Sequence, residues 1–133
     1  QAEDGIRDRS PSRGLGDVYK RQAYHWERAR GATPANEARA RYLIGKAWLA
    51  SGRPDQALDY GDRTLACCLE HGLVDFDLAY AHELRARALG ELGRHTDAAQ
   101  AWRTALAVTI ADPEDRAIVD ADFADAPDLA PPT

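Results

Sequence analysis

The chain has 133 residues, 17 basic against 22 acidic side chains, and a formal net charge of −5. That length suits one small domain. An acidic balance with no basic cluster argues against nucleic-acid binding, which needs many phosphate contacts, and no apolar run approaches the ~20 residues of a membrane span.

In chain order, the first 22 residues stand apart. Gln1 to Asp8 reads QAEDGIRD and Ser12 to Gln22 reads SRGLGDVYKRQ. Both resemble the in-frame translation of a transposase-type sequencing-library adapter, with Arg9, Ser10 and Pro11 where a variable index would lie. Residues 1–22 are therefore expected to be a non-native, disordered segment, and such segments are set aside from fold reasoning. The alternative is a natural basic arm. The segment carries a net +1, so subtracting it from −5 leaves −6 for residues 23–133. The sequence contains no Met, and the native N-terminus is expected to lie upstream. Residues 23–34 then read as the remnant of a truncated helix (Tyr24, His25, Trp26, Ala29) and its loop, Gly31 to Pro34.

The rest reads all-helical, since Ala, Leu, Arg and Glu dominate and no period-2 run of β-branched residues appears. Asn36 to Ser51 is expected as a helix with Ile44, Ala47, Trp48 and Ser51 on one stripe, stopped by Gly52. Pro54 opens the next at a first-turn position, with Asp55 at the positive end of the dipole. That helix is expected to run to about His71 with Ala57, Leu58, Leu65 and Leu69 inward. Gly72 ends it. Asp75 is the expected N-cap of a third helix, Phe76 to Leu92. A fourth is expected from Thr96 to Ala111. Asp112-Pro113-Glu114-Asp115 is a compact start signal for a fifth, ending near Ala124. Residues 125–133 read as a disordered tail. The expected core is Trp48, Leu58, Leu65, Leu69, Leu84, Leu89, Trp102, Leu106 and Ile110.

Two stretches of this helical region repeat at a spacing of 41 residues. Aligning Ala38–Leu69 with Ala79–Ile110 matches Leu43 with Leu84, Ala47 with Ala88, Gly52 with Gly93, Ala57 with Ala98 and Leu65 with Leu106. A repeat of this kind marks a unit that buries its apolar face by stacking on a neighbour. Gly45, Trp48, Gly52 and Ala57 in the first unit, then Ala86, Leu89, Gly93 and Ala98 in the second, occupy the small, bulky, Gly and Ala slots of the tetratricopeptide repeat, which this region resembles. Trp102 takes an aromatic slot of the second unit. The usual repeat is ~34 residues; here it is about two helical turns longer, similar to the stretched repeats of bacterial regulatory proteins. The resemblance implies stacked antiparallel helix-turn-helix repeats over residues 35–124, about two units plus a C-terminal capping helix. Two positions depart from the pattern: Arg85 stands where the family has a buried Leu, and Gly61 at the first unit's aromatic slot.

The residues that could carry chemistry are dispersed. His25, His71, His82 and His95 form no i, i+4 histidine pair of a helical zinc site, and Cys67-Cys68 lacks C-x-x-C spacing. The adjacent cysteines suit a reducing, cytoplasmic setting and act as small apolar residues; a vicinal disulfide or redox pair is the minor reading. Asp75 and Asp77 have no acidic ligand set after them. His82-Glu83 points to two helix faces. No nucleophile, base and oxyanion donor can be assembled. The expectation is therefore a non-enzyme with no cofactor and no metal.

One positive functional expectation comes from the resemblance. In tetratricopeptide folds the first helix of each unit lines a concave groove, here through Arg39, Tyr42, Leu43 and Lys46, then Tyr80, Glu83, Leu84 and Arg87. Each trio 39/42/46 and 80/83/87 shares one helix face. Arg39, Tyr42, Lys46, Tyr80, Glu83 and Arg87 are the candidate ligand residues, suited to a peptide with an acidic group or free carboxylate. Arg and Tyr are also enriched at interaction hot spots. The competing reading is solvated charges whose stems lie over apolar surface. The expected function is a non-catalytic protein–protein or peptide interaction scaffold, with no nucleic-acid or membrane partner and with self-association through its open repeat ends. The alternative is a peptide or small-ligand sensor within a larger bacterial regulator.

Overall fold

In the computed structural model, which describes residues 33–127 and Leu129, the chain forms five α-helices and no strand among those residues. They are α1 (Pro34–Ala50), α2 (Pro54–His71), α3 (Phe76–Glu91), α4 (His95–Ala107) and α5 (Pro113–Asp122). The adapter-like segment 1–22 and most of the expected helix remnant lie outside the described residues. No described helix is long and apolar enough to cross a membrane.

Local chemistry sets the helix ends. Thr33 caps α1, its hydroxyl accepting from the Asn36 N–H at 3.1 Å. Pro34 is thus the first helical residue rather than the end of a loop. Gly52 and Gly93, at matching repeat positions, take φ of 79° and 81° and turn the chain after α1 and α3. Asp112 caps α5 with one carboxylate oxygen on the Glu114 and Asp115 N–H groups. The expected fourth helix ends four residues early, at Ala107. Val108 is extended (ψ 131°), and Val108, Thr109 and Ile110 are all β-branched, a type that loses side-chain freedom in a helix. Leaving the helix turns Ile110 into the core, where it is 8% exposed.

Consecutive helices pack on one another through short turns: α1 on α2, α2 on α3, α3 on α4. In addition α1 touches α3, and α5 rests on α3. The inner side of α2, held between α1 and α3, is built from Ala57, Gly61, Thr64, Cys67 and Cys68. Gly45 on α1 meets this layer. A Cβ there would stand 2.6 Å from Leu84 Cδ2 and 3.0 Å from Tyr60 Cβ. The two departures from the repeat pattern meet each other, since a Cβ on Gly61 would lie 3.0 Å from Arg85 Cγ. Glycine leaves room for the arginine stem to cross α2, and its guanidinium pairs with Asp62 at 2.6 Å.

Several expected core residues are not in the core. Leu84, Leu89, Trp102 and Ile110 are buried, and Trp48, Leu58 and Leu65 are half-buried. Leu69 (68% exposed) and Leu106 (46%) face solvent. On α1 the expected stripe is also turned outward: Ile44, Ala47 and Ser51 are exposed, while Ala38, Tyr42, Gly45 and Lys46 are buried. Close helix approach favours small side chains at the contact, so the large apolar residues at neighbouring positions fall to the flanks. The segment after α5 is also held, because Arg87 bonds the Asp125 carbonyl and Leu129 packs against the core.

Asp75 joins the two ends of the second hairpin. It takes φ 66°, ψ −140°, a region that favours glycine. One carboxylate oxygen accepts from the Phe76 N–H at 2.8 Å and the other from the Ala111 N–H at 3.0 Å. Asp75→Ala loses both bonds and keeps the backbone strain, an expected cost of about 2 kcal/mol. Asp75→Gly loses the bonds but relieves the strain. Chemical denaturation should therefore rank parent, then Gly, then Ala; equal stability of the Gly and Ala variants would remove strain from the account.

Candidate binding face on helices α1 and α3

The six candidate residues come from one face of α1 and one face of α3, and the packing of α1 on α3 brings them together. Glu83 lies at the centre, 2% exposed. One of its oxygens accepts from the Tyr42 hydroxyl at 2.9 Å; the other accepts from Lys46 Nζ at 2.8 Å and from Arg87 Nε. Tyr42 and Glu83 hold the same position in successive repeats, and so do Lys46 and Arg87. The 41-residue repeat thus sets matching positions against each other in space. Arg39 stands beside this group, paired through two bonds of 3.0 Å to Asp77.

Rings line the same face. Tyr42 and Tyr80 meet edge to face with centroids 5.4 Å apart. Phe123 stands 5.5 Å from Tyr80 and 5.3 Å from Trp102. The Arg87 guanidinium lies 5.2 Å above the Trp102 ring, and Lys46 Nζ is 5.7 Å from the Tyr42 ring, distances at which a cation is attracted to an aromatic face.

The electrostatics follow from burial. Burial alone would push the Glu83 carboxyl up, but Lys46 and Arg87 on either side outweigh it and hold the group below the usual carboxylate range. Burial would lower Arg87, and its contact with Glu83 reverses the direction. The Tyr80 phenol is pushed up by burial and then by its bond to the Asp122 carboxylate. Glu83 is therefore ionised and Tyr80 neutral at neutral pH.

The face carries a stretch of polypeptide. Tyr80 donates to Asp122 Oδ2 at 2.6 Å. Arg87 donates to the Asp125 carbonyl at 2.9 Å, to the Asp122 carbonyl at 3.2 Å and to the Asp125 carboxylate at 3.3 Å. Phe123, 7% exposed, fills the space between Tyr80 and Trp102. What remains beside Arg39 is a crevice lined by Ala38, Arg39, Tyr42, Thr64, Asp77 and Tyr80, with room for about one water. Arg39, Tyr42, Lys46, Tyr80, Glu83 and Arg87 were expected to face an open groove; instead the segment from Asp122 to Asp125 engages Tyr80 and Arg87, Tyr42, Lys46 and Arg87 are tied to Glu83, and Arg39 is paired with Asp77. Sequence reasoning missed Asp122, Phe123 and Asp125 as part of this site. The available signal was the acidic spacing Asp120, Asp122, Asp125 around a single aromatic, complementary to Arg87.

Comparison with protein-family models, with curated proteins and with solved structures finds no match to this chain.

Proposed function

We propose that this chain is a non-catalytic interaction scaffold of tetratricopeptide-like, stacked-repeat type that recognises a peptide segment on the joined face of α1 and α3. The observation that carries the reading is the way this face receives Asp122–Asp125. Arg87 bonds two backbone carbonyls, Tyr80 bonds a carboxylate, and an aromatic side chain is seated between Tyr80 and Trp102. Carbonyl contacts of this kind grip any polypeptide, and the ring pocket and cations select what it carries. The order of helix packing, α1 on α2 and on α3, then α3 on α4, supports stacked repeats. The partner is an acidic peptide bearing an aromatic residue, and the chain's own C-terminal segment occupies its place. The expected setting is the cytoplasm, without nucleic acid or membrane as partner.

The test is a labelled peptide of residues 112–127 added to the full chain and to Phe123→Ala. Removing the ring frees the internal segment, so the variant should bind the added peptide at least tenfold more tightly than the parent by fluorescence anisotropy. Adding Arg87→Met to the variant should abolish that binding. Equal and negligible binding by parent and Phe123→Ala, with both folded, would refute the reading.

A further inference from the structure

Away from this face, the last turn of α2 and the first turn of α1 bring three metal-ligating side chains together. Cys67 and His71 are four residues apart on α2, so the sulfur and the imidazole share one helix face. Glu37 comes from the first turn of α1, which packs on α2. One donor atom from each residue lies within 4.8 Å of the other two. Sequence reasoning set histidine against histidine and cysteine against cysteine, and did not weigh Cys67 with His71. We propose that Glu37, Cys67 and His71 form a zinc-binding site that clips the start of α1 to the end of α2.

The donor set selects the ion. A thiolate and an imidazole favour borderline-soft zinc over magnesium or calcium, which take oxygen ligands. Three protein donors leave a fourth tetrahedral position for water. Zn–S near 2.3 Å and Zn–N near 2.0 Å place sulfur and nitrogen about 3.5 Å apart across a tetrahedral angle. The donors lie at most 4.8 Å apart, so they need to close by no more than about 1.3 Å. Glu37 and His71 are exposed and can supply that movement, while Cys67, 4% exposed, is the fixed member.

The surroundings fit an exchange of partners. Glu37 is paired with Arg41 at 3.3 Å on the surface, and Cys67 Sγ lies 3.5 Å from the Pro34 carbonyl, to which the thiol donates. Binding moves the Glu37 carboxylate from Arg41 to the metal and releases the thiol proton to solvent as the Zn–S bond forms. Zinc replaces the proton, so affinity should rise with pH. This site is independent of the peptide face and neither reading requires the other.

The experiment uses tag-free, chelator-treated full chain titrated with Zn²⁺ against a chromogenic chelator, with Co²⁺ as the spectroscopic probe. Expected are one equivalent per chain, a thiolate-to-cobalt charge-transfer band with intense visible bands of tetrahedral cobalt, and a melting temperature that climbs with zinc concentration. Cys67→Ser should abolish the charge-transfer band. His71→Ala should weaken binding roughly tenfold or more, Glu37→Gln should weaken it less, and His95→Ala should bind as the parent. His71 and Glu37 are exposed, so their variants keep the fold even if Cys67→Ser does not. Absence of binding by the parent, a cobalt spectrum without the thiolate band, or unchanged affinity in both His71→Ala and Glu37→Gln would overturn the site.

Discussion

Glu83→Ala is expected to lower stability by about 3–5 kcal/mol, the usual cost of removing one partner from a buried ion pair. Glu83 is the shared acceptor of Tyr42, Lys46 and Arg87. Its loss leaves Lys46, 8% exposed, and Arg87 without their common counter-charge. A native domain is stable by about 5–15 kcal/mol, so the variant should unfold at markedly lower denaturant concentration than the parent. Glu83→Gln keeps an acceptor for Tyr42 and should cost less. The triple variant Glu83→Leu, Lys46→Met, Arg87→Met should recover most of the loss, because well-packed apolar groups replace buried ion pairs at little net cost. A loss under about 1 kcal/mol in Glu83→Ala by urea denaturation would mean that water reaches the two cations.

The same group sets an acid limit. The folded Glu83 carboxyl titrates below its unfolded counterpart, so as pH falls the unfolded chain takes up this proton first. Its stabilisation is full above the unfolded value near pH 4.3 and is lost as pH falls through the lower folded value. The parent should therefore lose stability below about pH 4.3 more steeply than Glu83→Gln does. Parallel curves would show that other carboxylates carry the acid sensitivity.

The second large effect belongs to Leu84, which is fully buried and sits where α1, α2 and α3 meet. Its side chain approaches both Gly45 and Gly61. Leu84→Ala should cost about 2–5 kcal/mol through lost burial and the cavity left behind. Gly45→Ala alone places a methyl 2.6 Å from Leu84 Cδ2 and should cost about 1–3 kcal/mol from overpacking, reduced by the roughly 1 kcal/mol that alanine gains over glycine in a helix. In the Leu84→Ala background the principal clash is gone, and the remaining neighbour is Tyr60 Cβ at 3.0 Å. Gly45→Ala should then be neutral or stabilising. A double-mutant cycle by chemical denaturation should give a coupling of about 1–3 kcal/mol; additive effects would show that Gly45 and Leu84 do not share that space.

Helix identity and most helix ends were legible because they depend on neighbouring residues. Pro54, Gly72, Asp75 and the Asp112-Pro113-Glu114-Asp115 run act within a turn of their own position, and each acts there in the structure. The 41-residue repeat was legible too, and the Ala57 and Ala98 that it aligns are both fully buried. The missed end of α4 has a local reason as well: the Val108-Thr109-Ile110 run was there to be read, but the apolar periodicity was followed through it.

Burial was harder to read, because it depends on which other element arrives. A side chain's polarity predicts its exposure only when nothing polar covers it. Tyr42, Lys46, Glu83 and Arg87 look like solvent-facing groove residues in one dimension. They turn inward when α1 and α3 set matching positions together around Glu83 and Asp122–Asp125 engages Arg87. Leu69 and Leu106 look like core, yet the helix contacts are made by Ala, Gly, Thr and Cys, whose small size allows close approach. The sequence by itself determined five helices, most of their ends and their repeat, since turn chemistry and helical period act over a few residues. Only the tertiary structure decided which face is inside, that the chain's own acidic end occupies the tyrosine–arginine face, and that Glu37 meets Cys67 and His71, since each of these rests on contacts between residues some 30 to 40 positions apart.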